Sequence, residues 1–129
     1  MKNKDTNIRI ESLGDELINA IPELIDEYKE NRQFYSKDAF KDHLIYGHVL
    51  NPSLMRWLEE DNNPELLTRV FDHLEDLAQS SDPAIRNVVT VTVCERIDSS
   101  ERALNVAQKY MGPNTRKLAD AIAEYWSSQ

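Results

Sequence analysis

Side chains able to do chemistry are few in this chain, and their spacing is poor. The three histidines are His43, His48 and His73. His43 and His48 stand five apart, which takes them off a common helix face, because neighbours on one face recur every three or four residues. There is no His-Glu-x-x-His or Cys-x-x-Cys pattern, so no zinc site is expected, and no cofactor is implied. Asp42, His43 and His48 could meet only if the stretch from Tyr46 to Asn51 folded back. A small hydrolase built on those three is a third-rank reading. Cys94 is the single cysteine; it excludes an internal disulfide and has no histidine nearby in sequence to activate it. Lying in an apolar run, it is expected to be a buried, inert thiol. Gly14, Gly47 and Gly112 are too scattered to cradle a phosphate. Carboxylates abound, but on helical faces their ordinary state is solvated. An enzyme is therefore not expected.

The charge balance says more. The 129 residues carry a net charge of −8 at neutral pH and a sequence pI of about 4.8. Phosphate backbones and anionic membranes repel such a surface, so neither nucleic acid nor membrane is the expected partner. A basic protein is, because opposite fields speed encounter by about ten- to a thousand-fold. Solubility alone is the competing explanation of the acidity. No apolar run is long enough to cross a bilayer, and the polar residues after Met1 do not read as a signal peptide. The expected location is the cytoplasm.

The spacing of apolar residues predicts helices throughout. Residues 1–10 read as a flexible tail and 11–129 as one compact all-α domain of six to seven helices. The first helix runs from about Ser12 to Glu30, with Leu13, Leu17, Ile21 and Leu24 inward. Pro22 either kinks it or splits it near Ala20. Ser36 would cap a short helix through Tyr46, and Asn51-Pro52 would start another, broken by Asp61-Asn62-Asn63. The helix from Asn63 to Gln79 has Leu66, Leu67, Val70, Phe71, Leu74 and Leu77 at steps of three and four. The next opens at Asp82-Pro83. Asn63 and Asp82 read as caps, with proline at the first helical position. A strand is the rival for Val89, Val91 and Val93, but the Asp-Pro start and the length favour helix. Ser99 or Ser100 caps a helix from Glu101 to about Tyr110, and Gly112-Pro113 stops it, with glycine in the left-handed position. A last helix runs from Asn114 to Trp126, with Leu118, Ile122 and Tyr125 or Trp126 closing the core.

Two acidic faces stand out. One is on the first helix, with Asp15, Glu16, Glu23, Asp26, Glu27 and Glu30. The other comprises Glu59, Glu60, Asp61, Asp72, Glu75 and Asp76, with Arg69 able to pair with Glu65 and Asp72. Whether the two faces adjoin is left open at this level. Tyr46, His48 and Trp57 could supply apolar anchors beside the second face, or complete the core under their loop.

The stretch Asp82, Pro83, Ile85, Arg86, Val88, Val89 resembles the second helix of a HEAT-type repeat. That resemblance covers about 35 residues and implies antiparallel helix pairs and protein binding rather than catalysis. The segments Val49-Leu50-Asn51-Pro52-Ser53-Leu54 and Tyr110 to Leu118 resemble a group of small bacterial α-helical proteins that includes immunity proteins of polymorphic toxin and contact-dependent growth inhibition systems. What this implies is an immunity protein, monomeric before complex formation. It would occlude the active site of a cognate toxin domain, a basic ribonuclease in the first instance. The carboxylates of the second acidic face and the three anchors are then the expected partner-binding residues. The alternative is a HEAT-like adaptor or regulatory subunit for another basic protein.

Overall fold

Pro22 decides how the first helical stretch divides. A residue before proline is pushed out of the helical region, and Ile21 sits at φ −130°, ψ 75°. In the computed structural model, which describes residues 8–35 and 42–129, the stretch becomes α1 (Leu13–Ala20), a 3-10 turn (Pro22–Leu24) and α2 (Ile25–Arg32). The expected cap Ser36 and the inward Ala39 and Phe40 lie outside the described residues, as does most of the expected tail. Ile8 and Ile10 are partly buried against the core.

Among the described residues five further helices follow: α3 (42–60), α4 (Pro64–Ala78), α5 (83–98), α6 (Glu101–Ala107) and α7 (Pro113–Ser127). No strand occurs among the described residues. The valine-rich run of α5 is helical, so its alternation with threonine reflects a helix buried on one side. Three predicted caps are in place: Asn63 accepts from the Leu66 N–H, Asp82 from Ala84 and Ser100 from Ala103. α4 is the central element, with Leu66, Leu67, Val70, Phe71, His73, Leu74, Leu77 and Ala78 buried. Each large aliphatic or aromatic side chain there contributes about 1.5–3 kcal/mol by leaving water. α1 packs on α4, α6 on the second half of α3, and α7 on both α4 and the middle of α5.

The break expected between Tyr46 and Asn51 is absent. α3 runs through it by widening into a π-helical turn at Tyr46–Leu50, where the Asn51 N–H reaches back to the Tyr46 carbonyl. The wider turn carries the chain past Pro52, which has no N–H to give. Asn51 is accordingly no cap. It is buried, and its Nδ2 donates to the Thr92 carbonyl at 3.0 Å. A second π-helical turn, Val88–Cys94, lies across the first. Gly112 also departs from expectation. It is extended (φ −75°, ψ 174°), not left-handed, and a Cβ there would stand 2.5 Å from Glu75 Oε1, so any other residue has to displace that carboxylate. Tyr125 and Trp126 do not close the core; both are about half exposed at the end of α7.

Candidate functional site

The two acidic faces left separate by the sequence meet in space, in part. Glu16 and Asn19 share one side of α1; Asp72 and Asp76 stand one turn apart on α4. Together with Ile8, Ala20, Arg69 and His73 they line an open cleft of about 380 Å³. No sequence pattern announced this pairing, because it depends on how α1 crosses α4.

Arg69 is the one cation among these lining residues, and it is already engaged. Its Nη1 and Nη2 donate to Glu23 at 3.0 and 2.6 Å, and its Nε and Nη2 donate to Glu65 at 2.7 and 3.1 Å. A further bond reaches the Ala20 carbonyl, tying α4 to the end of α1. The guanidinium holds both carboxyls below the usual carboxylate range, and they in turn push the guanidinium higher still. The pairing with Glu65 follows the expected four-residue spacing. Glu23 takes the place expected for Asp72, which is left facing the cleft.

The floor of the cleft is uncharged at neutral pH. His73 is 6% exposed, and burial pushes its imidazole down to about 4. Its Nε2 shares a hydrogen bond with Tyr46 Oη at 2.7 Å, and the two rings stack with centroids 6.0 Å apart. Burial, and then the charge of Glu16, push the Tyr46 phenol upward, so it stays protonated. Carboxylates at the rim over a neutral floor suit a lysine or arginine side chain entering from solvent. Among the described residues, no group of three or more His, Cys, Asp or Glu side chains is disposed to hold a metal ion.

The expected partner-binding set divides three ways. Asp72 and Asp76 lie in the cleft. Glu59, Glu60 and Asp61 lie at the far end of α3. There Glu59 accepts from Ser100 Oγ at 2.6 Å, and Asp61, left-handed at φ 48°, pairs with Lys109 at 3.1 Å. Glu75 is turned inward and receives the backbone and side-chain groups of Asn114 and Thr115, all at 2.8–3.0 Å. It binds the first turn of α7, whose N–H groups have no helical partner. Tyr46 is likewise removed from the set of anchors, being fully buried against His73. His48 is exposed, with its ring 5.9 Å from that of Tyr35, and Trp57 is half-buried against the core. Among the described residues the exposed large apolar side chains are Phe34, Val91, Tyr125 and Trp126; the core pattern of α7 had claimed the last two.

A family model described as a domain of unknown function (DUF7674) matches residues 14–127. No curated protein and no solved structure matches the chain.

Proposed function

The chain belongs to the domain family DUF7674, whose function is unknown, and we propose that it acts as an immunity-type inhibitor that binds a basic toxin domain. The observation that carries this reading is the α1–α4 cleft, where Glu16 and Asp72 line a concave surface whose arginine is occupied by Glu23 and Glu65. A lysine or arginine beside the toxin's active site would enter between them, and the bulk of the helical domain would cover the rest. Net charge −8 favours fast capture of such a partner. A ribonuclease fits best, because a cleft that binds RNA is itself basic.

The test is co-expression of this chain with the C-terminal domain of a toxin encoded directly upstream, following growth and RNA integrity. Rescue with intact RNA is the expected result. A Glu16→Lys, Asp72→Lys variant should rescue poorly and associate more slowly. Full rescue by that variant would remove the cleft from the interface. Failure of the parent chain to rescue, despite good co-expression, would turn the reading toward an adaptor for another basic protein.

A further inference from the structure

The last twelve residues of the chain contain Asp120 and Glu124 but no lysine or arginine. On this part of α7, Tyr125 and Trp126 are 54% and 50% exposed. Trp126 continues the stripe that packs Thr115, Ala119 and Ile122 inward, but here the stripe projects beyond the core. Its indole N–H donates to Glu95 Oε2 on α5 at 2.7 Å. Tyr125 meets it edge-on, with ring centroids 5.1 Å apart. One turn before Glu95, Val91 is 46% exposed. The end of α7 thus presents two half-exposed aromatic rings against Glu95 of α5, with the tryptophan already oriented and the exposed Val91 one turn back on α5.

We infer that the surface formed by Val91, Glu95, Tyr125 and Trp126 docks a protein segment that carries an apolar side chain next to an arginine or lysine. Tryptophan and tyrosine are the residues that most often dominate interface energetics. Here the hydrogen bond to Glu95 and the edge-on contact settle the indole's orientation before binding, which lowers the ordering cost of association. Charge identifies the occupant. A carboxylate accepts several hydrogen bonds, so Glu95 can hold a guanidinium as well as the indole. The C-terminal end of α7 adds a partial negative charge. A second copy of the chain fits poorly. A two-fold contact would set Glu95 and Glu124 against a like-charged surface, and the patch, on the order of 300 Å², is well below the roughly 800 Å² per partner of a stable interface. The patch is the anchor of a larger contact with a basic protein. It shares the sign of its partner with the immunity reading but none of the cleft's residues, and it does not require that partner to be a toxin.

The experiment is selection of a displayed library of random twelve-residue peptides on the full chain, followed by fluorescence-polarisation titration of the enriched peptides. Enrichment of an apolar residue beside Arg or Lys is expected. Binding should weaken at least about tenfold on Trp126→Ala and several-fold on Glu95→Gln, with no change on Asp72→Lys. Glu95→Gln and Val91→Asp keep the test open should Trp126→Ala fold poorly. Peptides indifferent to all three patch variants, or no enrichment, would overturn the proposal. Peptides sensitive only to Asp72→Lys would overturn it while leaving the cleft reading intact. Trp126-dependent self-association in sedimentation, without peptide binding, would assign the patch to a second copy instead.

Discussion

Tyr46 Oη lies 2.7 Å from His73 Nε2, in a pair that joins α3 to α4 beneath the acidic cleft. The pair is a polar island among leucines, and its stability depends on His73 staying neutral. The folded-state value of His73 is pushed down to about 4 from an ordinary 6.5. The unfolded chain therefore takes up a proton first as pH falls. The contribution is complete above about pH 6.5, declines through the window below it, and is gone by about pH 4. The shift corresponds to about 3 kcal/mol. Denaturant midpoints measured between pH 7 and pH 5 should fall for the parent chain. A His73→Gln variant, less stable at pH 7, should show a much flatter profile across that window. Parallel profiles would assign the acid sensitivity to other groups.

Glu75 and Gly112 make a second coupled pair. Burial alone would raise the Glu75 carboxyl, but hydrogen bonds from Thr115 and Asn114 outweigh it and hold the group below its usual range. Glu75→Ala should cost about 1–3 kcal/mol, since it strands the first N–H groups of α7. Gly112→Ala should cost a similar amount, because the new methyl meets Glu75 Oε1 at 2.5 Å. The two losses should not add. In the double variant the methyl has no carboxylate to displace, and a double-mutant cycle should give a coupling of about 1 kcal/mol or more. Simple additivity would show that the glycine is not there for the carboxylate.

How much of this was legible in the sequence follows from which interactions are local. The α4 stripe from Leu66 to Leu77, its Asn63 cap and the split at Pro22 are set by neighbours within a turn, so spacing alone exposes them. The π-helical turn at Tyr46–Leu50 was not legible. Gly47 and Asn51-Pro52 have the chemistry of a helix end, and the helix that continues through them is bonded to Thr92, about forty residues away. Glu75 looked like its neighbours Asp72 and Asp76, yet lies on the side of α4 that faces α7. Its role depends on Asn114 and Thr115, about forty residues away. Trp126 carried the opposite signal. It falls on the buried stripe of α7, but α7 outruns the core it packs on.

Cys94 allows a simple check of the core around α5. The thiol is 2% exposed; burial, and secondarily the charge of Asp98, push it up to about 12. Only the thiolate attacks disulfide reagents. The native chain should therefore react with an aromatic disulfide reagent only as fast as it opens, while the chain in denaturant should release one equivalent at once. Rapid stoichiometric reaction under native conditions would mean that the Val88–Cys94 turn opens readily.

The crossing of the two π-helical turns gives opposite predictions for two neighbouring substitutions. Gly47 is helical, without a positive φ, and a Cβ there would meet only Thr92 Cγ2, at 3.6 Å, an ordinary contact. Gly47→Ala should therefore stabilise the chain by up to about 1 kcal/mol, through the lower helical cost of alanine. Gly47→Leu should destabilise by about 1–3 kcal/mol, because it must push Thr92 and α5 away. Asn51→Ala removes the donor that satisfies the Thr92 carbonyl. It also removes an Oδ1 atom that is buried without a partner, so part of the loss is offset, and about 1 kcal/mol is expected. Thermal or denaturant unfolding of the three variants measures all of this. Destabilisation by Gly47→Ala comparable to that of Gly47→Leu would show that the helices cross more closely than the 3.6 Å contact allows, and that the glycine holds the two turns together.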